Sequence, residues 1–178
     1  MGSHGYSLFL RSPEGTHPVR GAHLPQASMF HTNLTGNKMK RFLLAAMAVF
    51  IVWAALDFVI HGIILQSAYE ATVELWRPMN EMNLGLMYLV TAATAVAFVG
   101  MYAAVASKTV ASGAWFGALF GIAAGVSMGF GTYCVMPIPL FLAFGWFLGT
   151  LAEAVVAGVI VGAIAPGGAL GPLDPGGR

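Results

Sequence analysis

The sequence contains four apolar runs that are each long enough to cross a lipid bilayer. They cover about residues 42–65, 84–106, 114–136 and 140–165. At 1.5 Å per residue, an α-helix of about 20 residues spans the roughly 30 Å hydrocarbon layer. Helices satisfy all of their backbone hydrogen bonds internally, which lipid requires. We therefore expect an all-α, polytopic membrane protein with four transmembrane helices.

Composition supports this class and excludes others. Hydrophobic residues make up 58% of the chain and charged residues 8%, whereas a soluble domain carries about a quarter charged residues. The formal net charge of +1 offers no basic surface for nucleic acid. The single cysteine, Cys134, excludes an intrachain disulfide and a multi-cysteine metal site. The expected partner of most of the apolar surface is therefore the lipid bilayer.

Both ends of the chain differ from the middle. Residues 1–38 are rich in Gly, Pro and Ser, hold four of the five histidines at irregular spacing, and predict a disordered, solvated tail. Residues 166–178 predict a flexible C-terminal tail. Met39 precedes two basic residues and the first apolar run, so it is an alternative start. The transmembrane domain is expected at residues 39–165.

A cleavable signal peptide is the alternative interpretation of the first run. Basic residues at 38–41 would form its charged region, and Ala54 or Ala55 would mark the cleavage site. The apolar stretch continues through Ile60 without interruption. Because that length exceeds a typical signal-peptide core, a transmembrane span is favoured.

The linker between the first two spans predicts a short interfacial helix. Ser67 and Glu70 have the spacing of a capping box. Apolar residues then recur at helical spacing, and Pro78 would end the helix. The apolar positions, of which Trp76 would anchor the helix at the membrane surface, are Tyr69, Val73 and Trp76.

Basic residues predict the orientation of the bundle. Five of them fall on one side of the four spans: Lys38, Lys40, Arg41, Lys108 and Arg178. Arg77 falls on the opposite side, within an acidic linker. The positive-inside rule then places both termini in the cytoplasm, and we expect the membrane to be a bacterial inner (plasma) membrane. The short turn at 137–139 makes spans three and four an antiparallel hairpin.

Glycines in the third and fourth spans predict close helix packing. Small residues at every fourth position let two backbones approach each other. The third span carries one such row, Gly117, Gly121, Gly125 and Gly129, and the fourth carries two, Gly145 with Gly149 and Ala154 with Gly158 and Gly162. These rows either pack the hairpin or form a seam with another copy or a membrane-protein partner. If the Gly145 and Gly149 row is in contact, Glu153, one turn further, faces protein.

Three ionisable residues lie inside the apolar runs: Asp57, His61 and Glu153. A charged side chain near the bilayer centre costs on the order of 2.5–3.5 kcal/mol, so each requires an explanation. Asp57 and His61 are four residues apart on one helix face, where they can meet. With the N-terminus inside, their positions along the first span place both side chains in the outer half of the membrane. Glu153 is expected deeper, where it need not touch Asp57.

Other polar groups at outer-half depth would complete a cavity open to the outside. The candidates are Tyr88, Thr91, Ser127, Thr132, Tyr133 and Cys134. Gly129 to Gly131 would let the outer end of the third span depart from a regular helix. The site is either proton-responsive or cation-binding, or else a structural pair in which Asp57 bonds to His61 and to a tyrosine.

Other chemistry is less well supported by the sequence. His61, Cys134 and several methionines would suit Cu(I), but no C-x-x-C or methionine array accompanies them, so no metal or cofactor is expected. The sequence shows no nucleophile–base pattern, so we expect no enzyme. The first hypothesis is a non-enzymatic bundle component that assembles through its glycine faces. The alternative is a small proton- or cation-coupled transporter or sensor.

Four parts of the sequence carry a resemblance to known proteins. They are Asp57-FVIHGIIL, Leu75-Trp76-Arg77-Pro78 with Glu81-Met82, Met136-Pro137-Ile138-Pro139, and Phe147-LGTLAEA. These strings resemble small four-span bacterial inner-membrane proteins with no characterised activity. The resemblance covers about residues 39–165 and implies four spans without implying a substrate.

Overall fold

A computed structural model describes residues 26–104 and 109–164, and every regular element within these two ranges is helical. The helices are α1 (Gln26–Val59), α2 (Gln66–Glu70), α3 (Leu84–Ala103), α4 (Val110–Gly125), α5 (Thr132–Val135) and α6 (Leu140–Ile164). A π-helical turn, Ile60–Ile64, extends α1, and a π-helical segment, Val126–Gly131, joins α4 to α5. Short 3-10 turns lie at Val73–Leu75 and Met79–Glu81.

In these described ranges, four helical stretches are long and apolar enough to cross a membrane. They are Gly36–Ile64, Leu84–Ala103, Val110–Val135 and Leu140–Ile164. The fold class predicted from the apolar runs is confirmed to that extent. Below, the outer end of the bundle is the end with the linker 65–83 and the turn at 137–139, and the inner end is the opposite one.

The first helix is longer than its apolar run. It begins at Gln26, so residues 26–38, which we assigned to a disordered tail, are helical. The prediction of disorder for residues 1–25 and the flexible C-terminal tail from 166 onward lie outside the described residues. At the start of α4, Thr109 and Ser112 form a reciprocal capping box.

The linker helix is shorter than expected, and its predicted cap is wrong. Helix α2 begins after Leu65 with no side-chain cap, and Glu70 accepts a 2.9 Å hydrogen bond from Gln66 instead. The hydroxyl of Thr72 donates to the carbonyl of Ala68 at 2.8 Å and accepts from Nε1 of Trp76 at 3.0 Å. This bonding turns the chain inward, so Trp76 packs on Trp146 (ring centroids 6.0 Å apart).

The glycine row of the third span packs against α6 within the same chain. Gly117, Gly121, Gly125 and Gly129 are buried. A Cβ added at Gly117 would overlap the backbone carbonyl of Ala154, and one added at Gly125 would lie 2.9 Å from the carbonyl oxygen of Phe147. The small-residue face therefore builds the hairpin, because only hydrogen atoms fit between the two backbones.

The two rows of α6 serve different neighbours. The row of Ala154, Gly158 and Gly162 contacts α4, whereas Gly145 and Gly149 face the outer end of the first span. A Cβ at Gly145 would lie 2.7 Å from Leu65, and one at Gly149 would lie 3.0 Å from Ile60. Helix α6 is thus clamped between α1 and α4.

Helix α3 packs mainly through its inner half. Phe98 and Tyr102 are fully buried, and the ring of Phe98 lies 4.9 Å from that of Phe116 and 5.1 Å from that of Phe120. At the outer end, residues 84–90 of the same helix are all exposed within the chain. Because α3 gives few contacts there, a groove remains between its outer half and the other three long helices.

Candidate functional site

The site is built on α1 and α6, which bring Asp57 and Glu153 together. The two carboxyl groups line the same groove beside α3 and interact electrostatically. One turn before Asp57, the indole Nε1 of Trp53 donates a 3.0 Å hydrogen bond to the backbone carbonyl of Glu153. This bond fixes the register of the two helices at the level of the carboxyl pair.

The prediction that Glu153 lies deeper than Asp57 is wrong. It assumed that the first and fourth spans reach the same outer level. The structure instead places Gly145 beside Leu65 and Gly149 beside Ile60. The outer end of α6, which begins at Leu140, therefore extends more than one helical turn beyond the end of the first span. One turn further along α6, Glu153 meets Asp57.

The carboxyl of Glu153 faces protein, as the conditional prediction from the glycine row required. Its Oε1 atom is enclosed and has no hydrogen-bond partner among the described residues. The Asp57 side chain is 44% exposed. Two neighbouring carboxyl groups repel each other when both are ionised, and they attract when one proton lies between them. Binding of a single proton therefore changes the electrostatic interaction between the two carboxyl groups strongly.

On its other side, Asp57 faces His61. Their Oδ1 and Nε2 atoms are 3.8 Å apart, which is within ion-pair distance. The other ring nitrogen of His61, Nδ1, lies 2.6 Å from the hydroxyl of Tyr69 in α2. Nε1 of Trp146 in α6 donates to the same hydroxyl, also at 2.6 Å.

Counting donors assigns the tautomer of neutral His61. An indole N–H can only donate, so the Tyr69 oxygen accepts from Trp146 and keeps its own hydrogen for another partner. The arrangement that gives this hydrogen an acceptor sends it to Nδ1 of His61, which is then unprotonated. The remaining proton of the neutral ring is on Nε2, the atom that faces Asp57.

Tyr69 lies outside the candidate membrane spans, and its surroundings shift the pKa of its phenol. Burial raises its pKa above the ordinary value of 10.0 most strongly, and the negative charge of Asp57 adds to this increase. The hydrogen bond from Trp146 acts in the opposite direction. Tyr69 therefore keeps its O–H at neutral pH, and Asp57 acts on it electrostatically.

The groove at the carboxyl pair has a volume of about 190 Å³. Its walls combine the two carboxyl groups with hydroxyl and apolar side chains. Besides Asp57 and Glu153, the lining is Trp53, Val90, Thr91, Thr94, Phe120, Ala124, Met128, Thr150 and Ala154. The polar side chains come from α1, α3 and α6, so a small cation bound here would lie near polar groups of three helices.

Of the additional polar groups predicted to line a cavity, Thr91 lines the groove and the others do not. Tyr88, Tyr133 and Cys134 are exposed and do not line the groove. The π-helical segment at 126–131 does depart from regular α-helix, as the glycines there predicted. Its widened backbone does not turn Tyr133 or Cys134 toward Asp57, because both residues lie on the exposed side of α5.

Sequence reasoning missed Trp53 and the residues that connect the site to the linker. Trp53 is four residues before Asp57 on the same helix face, a spacing that could have identified it. No local signal links Tyr69 to Trp146, since 77 positions separate them. Within residues 26–104 and 109–164, no three His, Cys, Asp or Glu side chains lie close enough together to hold a metal ion.

The chain matches no protein-family model, no curated protein and no solved structure. Its function is therefore inferred from the residues of the site.

Proposed function

We propose that the chain is a multi-pass protein of a bacterial inner membrane, with both termini in the cytoplasm, that acts as a small proton-coupled transporter or a proton sensor. The observation that carries this proposal is that Asp57 and Glu153 line one groove, with His61 within ion-pair distance of Asp57. Intramembrane acids are costly, and in membrane proteins they mark ion and proton pathways. No enzymatic step is proposed.

A purely structural role for the pair is less well supported. An interhelical hydrogen bond in a membrane contributes about 0.6–2 kcal/mol, which does not offset the insertion cost of a charged acid. The α1–α6 contact already has the Trp53 bond and the Gly145 and Gly149 packing to hold it. A carboxyl pair adds little to that contact, but it adds a proton-binding group.

Assembly through the glycine faces, the other hypothesis, has less support as well. The glycines of α4 and both small-residue rows of α6 are occupied by helices of the same chain. A second copy or another membrane protein would therefore have to bind through the larger apolar side chains on the outside of the bundle. The bilayer covers these side chains equally well.

Infrared spectroscopy of the protein in lipid vesicles tests the proton-binding part of the proposal. We expect a carbonyl band of a protonated carboxyl group that disappears as the pH is raised. Asp57→Asn and Glu153→Gln should each remove or shift this band. Glu74→Gln, which changes an exposed linker acid, is the matched control and should leave it unchanged. A spectrum without such a band, or a band indifferent to both substitutions, would overturn the proposal.

A second assay distinguishes a transporter from a sensor. Vesicles containing the protein and a trapped pH indicator are given an outward Na⁺ or K⁺ gradient. Proton movement that requires Asp57 identifies a proton–cation exchanger. A carboxyl band that titrates without any proton movement identifies a sensor, whose output is a conformational change.

A further inference from the structure

The outer linker is connected to the carboxyl pair by a chain of polar contacts. Trp146 donates to Tyr69, Tyr69 contacts His61, and His61 faces Asp57, at 2.6, 2.6 and 3.8 Å. Tyr69 lies in α2, outside the apolar stretches, and His61 is 33% exposed. These contacts lead from the outer end of the bundle to the groove along the outer hydrophobic cluster, which includes Trp146 and packs against Tyr69.

The inner side of the groove offers no comparable path. Trp53 packs edge-to-face on Phe98 with ring centroids 5.4 Å apart, and Phe120 contacts Phe98 from the opposite helix. Phe98 is fully buried and Trp53 nearly so. Because this aromatic layer lacks groups that could accept a proton at the groove floor, proton exchange is favoured at the outer end.

We propose that Tyr69 is a positioning residue that sets the tautomer of His61, and that His61 with Tyr69 is the route by which a proton passes between the outer surface and the Asp57–Glu153 pair. The inference rests on the proposed function, since it supplies the entry path for the same site. Tyr69 contributes no charge at neutral pH. Its role is to keep Nδ1 of His61 supplied with a hydrogen bond, so that Nε2–H points at Asp57.

The transfer conserves protons at each step. The Tyr69 hydroxyl passes its hydrogen to Nδ1 of His61 while its oxygen takes up a proton from the outer solution. The resulting imidazolium releases the Nε2 proton to the Asp57–Glu153 pair. His61 is then neutral with its proton on Nδ1, and exchange of its partly exposed ring with outer water, which gives a proton to Nε2 and takes one from Nδ1, resets the route.

The groups around His61 determine the pH response of this route. Asp57 faces it from the same helix and Tyr69 from α2, while Glu153 of α6 adjoins Asp57. Trp146 carries no titratable proton in the accessible range. Any change in the protonation of His61 must therefore be interpreted together with the protonation state of the Asp57–Glu153 pair.

Nitrogen NMR of histidine-labelled protein in vesicles tests the positioning role. The His61 signals are assigned as those missing from His61→Gln. In the wild-type protein we expect the neutral ring with its proton on Nε2. Tyr69→Phe keeps the aromatic ring but removes the hydroxyl, and it should give a mixture of both tautomers. Tyr88→Phe, at an exposed tyrosine outside the groove, is the matched control and should keep the wild-type tautomer.

The route itself is tested by the rate at which the infrared carboxyl band responds to a pH jump. A positioned acid–base group accelerates proton transfer by about 10²–10⁴-fold. We expect Tyr69→Phe and His61→Gln to slow the response by roughly 100-fold or more. The equilibrium titration of the band should remain, which separates failure of the route from failure of the proton site.

A second variant keeps the proposal testable if Tyr69→Phe does not fold. Trp146→Phe removes the N–H that orients Tyr69 and should slow the response less than Tyr69→Phe does. If Tyr69→Phe and Trp146→Phe both respond at the wild-type rate with the wild-type tautomer, the route is wrong. If Tyr69→Phe does not fold, an unchanged rate and tautomer in Trp146→Phe is by itself sufficient to reject it.

Discussion

Replacing Gly117 by alanine should weaken the α4–α6 hairpin measurably. The added methyl would lie 2.8 Å from the carbonyl carbon of Ala154 and 2.9 Å from the Cα of Val155. Carbon atoms attract best at about 3.5–4.0 Å. Both partners are backbone atoms, so no side-chain rotation can relieve the overlap, and the two helices must separate by about 0.5 Å or more.

The expected cost follows from that separation. A gap of about 0.5–1 Å forfeits a quarter to a half of the dispersion energy of the atoms that face it. Overpacking of this kind typically costs about 1–3 kcal/mol. Alanine also favours the helix by about 0.5–1 kcal/mol over glycine, which offsets part of the loss. Gly100→Ala in α3 is the matched control, because nothing lies within 4 Å of its added Cβ.

Reversible unfolding in mixed detergent micelles measures the difference between the two variants. Since both share the helix-propensity gain, the difference reports the packing term alone. We expect Gly117→Ala to be less stable than Gly100→Ala by about 1–3 kcal/mol, or about 5- to 150-fold in the unfolding equilibrium constant. Equal stability of the two variants would refute the packing of this glycine row against α6.

Three further predictions concern single contacts. Trp53→Phe removes the hydrogen bond to the carbonyl of Glu153 and should lower the free energy of unfolding by about 1 kcal/mol; no loss would show that this bond does not hold the register. Thr72→Val leaves Nε1 of Trp76 without its acceptor and should cost about 1–3 kcal/mol, whereas Thr72→Ser should recover most of it; equal losses would point to the methyl group instead. Because folding raises the pKa of Tyr69 above 10.0, the folded state retains the phenol proton more strongly. The resulting stability is present below pH 10.0 and is lost as the pH rises through the raised pKa. Alkaline absorbance titration of wild type against Tyr69→Phe checks this, and a phenolate signal from Tyr69 below pH 10.0 would contradict it.

The helices could be predicted because hydropathy is a local property of the sequence. Their ends were less predictable. Helix α1 continues backward to Gln26 through polar residues that a hydropathy argument excludes, since no proline stands between that residue and the first span. In the linker, α2 begins one residue before Ser67 and Glu70 bonds to Gln66, so the predicted capping box does not form.

The candidate site was only partly predictable, for a related reason. The Asp57–His61 contact follows from helix periodicity, which is encoded within five residues. The Asp57–Glu153 contact depends on how far α6 slides along α1, and that register is set by Leu65 and Ile60 against two glycines. Spacing along the chain carries no information about such a slide.

Helix α3 has a consequence for how the groove can change. Its inner half is held by the Phe98 and Tyr102 aromatic contacts, whereas residues 84–90 at its outer end touch little of the chain. The α4 and α6 backbones are in close contact, so we expect the hairpin to move less than α3 does. A small tilt about Phe98 would widen or narrow the space next to Asp57 while every glycine contact stays intact. If the groove binds a proton as proposed, we expect its occupancy and the tilt of α3 to depend on each other.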